Sequence, residues 1–118
     1  MRKSLILAAL GGAILATSVA PASAQERPDW CNEQSRKNDA EWTICQNRSL
    51  WDLEDNLNNS YRVAMRELPP SQQGILRSSQ ADWLRGTRDD CGSDVACLRQ
   101  AYRSRINTLQ DVASRGHF

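Results

Sequence analysis

Four cysteines are the residues of this sequence best suited to covalent chemistry: Cys31, Cys45, Cys91 and Cys97. An even number of cysteines in a small chain with an export signal predicts two disulfides formed in an oxidising compartment. Four cysteines allow three pairings, and we favour Cys31–Cys45 with Cys91–Cys97 because both loops are short and local. The alternative is a metal site. The spacings Cys-x13-Cys and Cys-x5-Cys do not suit zinc, and the single histidine, His117, lies in the tail. We therefore expect no metal and no other cofactor.

The second cysteine pair predicts a corner in the chain. In a continuous helix a six-residue step rises about 9 Å, whereas a disulfide joins Cα atoms roughly 4.4–6.8 Å apart. A Cys91–Cys97 bond therefore requires the helix to break between the two cysteines, and the segment CGSD is a suitable break. Two interpretations remain open. The corner is a rigid acidic loop that meets a basic cleft of a partner, or it only ends one helix and begins the next, with Gly92 in the turn and Asp94 as the cap.

Candidate partner-binding residues come from this corner and from the tryptophans. Tryptophan is enriched at binding hot spots, but it also fills the core of a thin helical bundle. We expect Trp83 and Trp42 in the core. Trp51 lies beside the main apolar stripe and is the best candidate for an aromatic side chain that faces a partner. The candidate partner-binding residues are Trp51, Arg88, Asp89, Asp90 and Asp94.

Charge and composition argue against two classes of function. The sequence has 15 basic and 14 acidic residues, and Arg2 and Lys3 are the only charged residues of its first 24 positions. Without these two, 15 − 2 = 13 basic residues remain against 14 acidic ones, so the rest of the chain has no basic excess. Phosphate binding needs a basic excess on one face, so we do not expect nucleic acid as a partner. The carboxylate pair Asp89-Asp90 lacks the pocket, nucleophile and basic partner that acid–base catalysis requires. We therefore expect that the protein is not an enzyme.

The N-terminus has the pattern of a secretory signal peptide. Arg2 and Lys3 precede an apolar run over residues 5–20, and Ala22-Ser23-Ala24 is typical of a cleavage site. We predict a signal peptide over residues 1–24 and one helical domain over residues 25–118. The mature protein is then periplasmic or secreted and has no membrane anchor.

The rest of the chain predicts helices only, because no segment alternates polar and apolar residues with period two. The first helix starts at Asn38 or Asp39. The second starts at Ser49, with Asp52 completing a capping box. Pro69-Pro70 separates the second helix from the third. The fourth runs from about residue 94 to about residue 114. Short connections predict an all-α antiparallel bundle or hairpin of three to four helices, stapled by two local disulfides.

The apolar stripes predict which residues face the core. On the second helix we place Leu50, Leu57 and Tyr61 on the buried face and Glu54 on the charged face. On the third helix we place Ile75 on the inner face. The arginines of the fourth helix, Arg105 among them, are assigned to a solvated face.

The order of these residues resembles the LprI-like lysozyme-inhibitor N-terminal family, a group of small exported bacterial domains. The matching residues are Cys31, Cys45 at the end of EWTIC, Leu50, Leu53, Asn58, Tyr61, Gln80 with Trp83, Cys91-Gly92 with Asp94, Cys97-Leu98, and Tyr102, Arg105, Ile106 and Leu109. The chain departs from the family in one place. The family usually has an arginine four residues after the tryptophan, whereas Thr87 stands there and Arg88 follows.

The resemblance implies a binding protein with a protein partner. The first hypothesis is an inhibitor of lysozyme-type muramidases that blocks the glycan cleft with the stapled corner and Trp51. The alternative is a periplasmic interaction or stress module without an enzyme target. A lysis assay with several muramidase classes separates these two hypotheses.

Overall fold

The computed structural model describes Gly12 and residues 26–118, so the predicted signal peptide, apart from Gly12, lies outside the described residues. The described chain is helical, as predicted, and both local disulfides are present as Cys31–Cys45 and Cys91–Cys97. None of the described helices is both long and apolar enough to cross a membrane. The helices are α1 (Asp39–Gln46), α2 (Arg48–Glu67), α3 (Pro70–Trp83) and α4 (Val95–Arg115).

Side-chain caps define the N-terminal part of the fold. A 3₁₀ turn, Glu33–Lys37, starts with Asn32, whose side chain accepts a hydrogen bond from the Gln34 backbone N–H. The Asn38 side chain accepts from the Glu41 N–H and begins α1, as the sequence predicts. The Cys31–Cys45 bond then joins the start of this segment to the end of α1.

The sequence predicts Ser49 as the N-cap of α2, whereas the structure has the N-cap two positions earlier. The helix begins at Arg48, and Asn47 occupies the capping position without a side-chain cap hydrogen bond. Ser49 instead lies in the first turn, where its hydroxyl accepts a hydrogen bond from Arg99 of α4. The far end agrees with the prediction, because Leu68 adopts an extended conformation before the two prolines and ends α2.

The end of α3 changes its helical period before the corner. A π-helical turn, Leu84–Arg88, follows α3 directly, and a 3₁₀ turn, Asp89–Cys91, follows the π turn. Gly92 then takes a positive φ of 55°. The Asp94 side chain accepts a 3.0 Å hydrogen bond from the Cys97 N–H and caps α4. Gly92 and Asp94 thus have the turn and cap roles expected for helix punctuation.

Helices α2 and α4 lie side by side and run parallel, with α3 antiparallel to both. The contacts show the parallel direction, because residues later in α2 contact residues later in α4. The contacting pairs are Ser49 with Arg99, Glu54 with Tyr102, and Glu67 with Gly116. The antiparallel direction of α3 follows from the contacts of Gln80 with Arg105 and of Gln72 with Phe118. The core between these helices consists mainly of Ile44, Leu50, Leu57, Leu76, Trp83, Leu98, Tyr102, Leu109 and Val112.

The core differs from the sequence prediction at three positions. Trp83 is buried and makes an edge contact with Tyr102, with ring centroids 5.3 Å apart, as expected for a core residue. Trp42 is only half-buried, outside the core, with the Arg36 guanidinium 4.8 Å from its ring centroid. Ile75 is 54% exposed on the outer face of α3. Glu54, which the prediction placed on the charged face, is buried.

Candidate functional site

An open cleft of about 530 Å³ lies between α2 and α3. Its sides come from the two helices, and one end is closed by the N-terminal segment and by the π turn after α3. The side chains that give the cleft its chemistry are Trp30, Glu41, Glu54, Asn58, Tyr61, Arg77, Gln80 and Arg88.

Glu54 on α2 is the buried carboxylate of this cleft. The Trp30 indole N–H donates to its Oε1 at 3.2 Å, and the Asn58 side-chain amide donates to the same oxygen at 3.3 Å. The Tyr102 hydroxyl of α4 donates to Oε2. Glu54 is buried because Leu50 lies four residues before it and Leu57 three residues after it, on the same face of α2. Three neutral donors from three parts of the chain therefore solvate one charge.

Arg88 supplies the buried positive charge at the closed end. Its side chain is 8% exposed, and its Nη2 lies 3.0 Å from Glu41 Oε1 and from Asp89 Oδ1. Its Cζ lies 5.7 Å from the centroid of the Trp30 ring. One guanidinium thus connects α1, the corner and the N-terminal segment.

The π turn explains how Arg88 reaches this position. The Asp89 N–H donates to the Leu84 carbonyl, a five-residue step that adds one residue to the helical turn. Arg88, five residues after Trp83, therefore faces nearly the direction that the fourth residue faces in an uninterrupted α-helix. The unusual spacing between this tryptophan and this arginine is offset by a local change of helix type.

The electrostatics of the buried groups follow from their neighbours. Burial and the charge of Glu54 raise the pKa of Tyr102 far above its usual value, so this phenol stays a hydrogen-bond donor. Burial alone would lower the pKa of Arg88, but Tyr102, Asp89 and Glu41 together raise it. Burial lowers the pKa of Arg105, which donates to Gln80 at 2.8 Å and to Ser79 at 2.9 Å. The prediction that Arg105 belongs to a solvated face was therefore wrong.

The structure places the five predicted partner-binding residues in different surroundings. Arg88 is buried, and Asp89 is half-buried against it. Asp90 and Asp94 are exposed on the corner. Trp51 is half-buried, with its indole N–H donating to the Ile44 carbonyl at 3.0 Å. The corner thus offers two exposed carboxylates on a frame that Arg88 and the Cys91–Cys97 bond hold in place.

Sequence reasoning missed the cleft itself. Trp30 and Glu41 line the cleft, and neither is among the candidate residues that the sequence indicates. The available signal was the position of Glu54 within the apolar stripe of α2, where a charged residue implies buried partners. Those partners, Trp30 and Tyr102, lie 24 and 48 positions away in the sequence.

The cleft is equipped to bind through hydrogen bonds, ion pairs and aromatic contacts. Every buried side-chain nitrogen and oxygen among the described residues has a hydrogen-bond partner. Within that same part of the chain, no group of three or more His, Cys, Asp or Glu is arranged to hold a metal ion.

The family described as lysozyme inhibitor LprI matches residues 31–114, from the first cysteine to the last turn of α4. No curated protein and no solved structure matches the chain.

Proposed function

Because the chain belongs to the LprI lysozyme-inhibitor family over residues 31–114, we propose that it binds a lysozyme-type muramidase and inhibits it by blocking its glycan cleft. The family match is the observation that carries this proposal. Such enzymes cleave the glycan with two carboxylates placed on either side of the scissile bond. An inhibitor therefore needs only to occupy that cleft and exclude the glycan, and it requires no catalytic group of its own.

The stapled corner is the part of the surface that we assign to the enzyme contact, together with Trp51. Its backbone is constrained by the Cys91–Cys97 bond, by the Asp94 cap and by Arg88. A surface that is already ordered loses less entropy on binding than a flexible loop. Asp90 and Asp94 are exposed on this corner, and the Asp94 carboxylate also accepts the capping hydrogen bond from the Cys97 N–H.

The proposal includes export to the periplasm or to the medium. The two disulfides require an oxidising compartment for their formation. The signal peptide predicted over residues 1–24 supplies the route.

A turbidity assay tests the proposed function. Purified protein in molar excess should slow the lysis of a Gram-positive cell suspension by at least one muramidase class. Asp90→Lys should weaken this inhibition about tenfold, whereas Asp55→Lys, an exposed reversal on α2, should leave it unchanged.

The outcomes of this assay distinguish a wrong function from a wrong contact surface. Unchanged lysis with every muramidase class rejects the inhibitor proposal and favours the alternative of a periplasmic interaction module. Full inhibition by the Asp90→Lys variant keeps the function but rejects the corner as the contact surface.

A further inference from the structure

The cleft between α2 and α3 contains a buried carboxylate that is not part of an ion pair. Glu54 is 6% exposed, and the ion pairs among the described residues involve other carboxylates. Its three hydrogen-bond donors, Trp30, Asn58 and Tyr102, are neutral. Buried charges in proteins are usually paired with an opposite charge or with a metal. Glu54 lines the cleft, so its charge makes the electrostatic potential there more negative.

The other charges at the closed end do not cancel this potential. Arg88 is the buried cation there, and it already contacts both Glu41 and Asp89. Two carboxylates, those of Glu41 and Asp89, thus share one guanidinium. Glu41 remains 32% exposed at its side chain, so it is accessible from the cleft. The charges of Glu54 and Arg88 act more strongly than charges on the open surface because both residues are buried and little water screens them.

The walls of the cleft suit a cation as well. Trp30 and Tyr61 line it, and aromatic faces attract guanidinium and ammonium groups. Arg88 already lies over the Trp30 ring, with its Cζ 5.7 Å from the centroid, so this indole takes part in one such contact. The space of about 530 Å³ is ample for the end of a long side chain.

Among the described residues that line the cleft, Arg77 is a cation besides Arg88, and its charge opposes the binding of another cation. It is exposed on α3, at the rim of the cleft, and solvent screens its charge. Its position gives a test of whether the cleft prefers a cation or an anion. Removing its charge should strengthen the binding of a cation and weaken the binding of an anion.

From these contacts we propose that the cleft accepts the guanidinium or ammonium group of an arginine or lysine side chain of a protein partner. Glu54 lies beneath this group, and Glu41 and the Trp30 ring lie beside it. The inference rests on the proposed function only for the identity of the partner. It deepens that function by adding a second contact, which anchors a basic side chain away from the corner.

Small cations test the cleft without any partner. Propylguanidinium and propylammonium are titrated into the full mature protein, and the indole N–H signal of Trp30 is followed by NMR, with Trp30→Phe used to assign it. Neutral propylurea is the matched control for shape. We expect saturable shifts with a Kd of about 1 mM for the cations, the order typical of a ligand of this size. Equal shifts with propylurea, or shifts that do not saturate, would overturn the proposal.

Charge variants test the assignment to Glu54. Glu54→Gln should weaken propylguanidinium binding at least tenfold, and Arg77→Gln should strengthen it severalfold. Asp55→Asn removes an exposed charge from the same helix and should change nothing. If Glu54→Gln does not fold, Ala81→Met narrows the cleft from α3 and should give the same loss. Unchanged affinity in the folded variants contradicts the proposal.

The lysis assay identifies the source of the cation. If the protein inhibits a muramidase, saturating propylguanidinium should relieve that inhibition and saturating propylurea should not. Inhibition that persists in saturating propylguanidinium rejects a partner side chain in the cleft. If the protein inhibits no muramidase, the proposed function fails, and the NMR titration still decides whether the cleft binds cations.

Discussion

The Tyr102 hydroxyl donates a 2.5 Å hydrogen bond to the Glu54 carboxylate and joins the parallel helices α4 and α2 inside the fold. Tyr102 is fully buried and Glu54 is 6% exposed, so water replaces this bond poorly. Tyr102→Phe should destabilise the protein by about 1.5–3 kcal/mol, the value typical of a hydrogen bond to a buried charge. Urea unfolding measures the loss. Tyr61→Phe, at a half-buried tyrosine, is the control and should cost less than about 0.5 kcal/mol.

The same contact predicts how stability depends on alkaline pH. Burial and the charge of Glu54 raise the pKa of Tyr102 in the folded protein above the ordinary value of 10.0. The folded state therefore keeps the phenolic proton at pH values where the unfolded chain releases it. This contribution is complete below pH 10.0 and is lost as the pH rises further. The free energy of unfolding should fall above about pH 10, and more steeply in the wild type than in Tyr102→Phe. Equal slopes for the two proteins would contradict this account.

Of the arginines, Arg88 should contribute most to the free energy of unfolding. Arg88→Ala leaves Glu41 and Asp89 without their shared cation, and breaking a buried pair costs about 3–5 kcal/mol. Arg88→Lys should recover only part of this loss, because an ammonium cannot match the planar fork of a guanidinium. Chemical denaturation compares both with Arg85→Ala. That variant breaks a pair with Asp82 whose side chains are 73% and 77% exposed, and it should cost under about 1 kcal/mol.

Local patterns predicted most of the helical framework. Asn38 and Asp94 cap α1 and α4 as expected, and both disulfides join the cysteines that are close in sequence. These features depend on residues within about fifteen positions of one another. Short-range chemistry and the limited reach of a disulfide determine them, so they can be predicted from one sequence.

The cleft could not be predicted in the same way, because distant residues build it. Glu54 looks like a surface charge until Trp30 and Tyr102 are known to lie beside it. Arg88 looks out of place by one residue until the π turn is known.

The two disulfides should contribute unequally to stability. Their cysteines are 14 positions apart in Cys31–Cys45 and 6 apart in Cys91–Cys97. In the chain-entropy account a longer loop restricts the unfolded state more, which gives about 3 kcal/mol for the first bond and about 2 kcal/mol for the second. Urea unfolding of the two double Cys→Ser variants measures both losses. A larger loss for the 91–97 variant would show that this bond acts mainly through the folded corner.

Replacing either of two glycines by alanine should change the stability of the protein, in opposite directions at the two positions. Gly92 has φ 55° and ψ −129° in the corner, a conformation that L-residues rarely adopt, whereas Gly74 lies inside α3. An added Cβ would meet no atom within 4 Å at either position, so backbone conformation alone decides the outcome. Gly92→Ala should cost about 1–3 kcal/mol because its strained backbone must be kept. Gly74→Ala should stabilise the protein by about 0.5–1 kcal/mol because alanine restricts the unfolded chain and favours helix. Thermal unfolding of both variants gives the signs. A Gly92→Ala protein as stable as the wild type would mean that the corner relaxes, and it would remove the argument that this surface is ordered before it meets a partner.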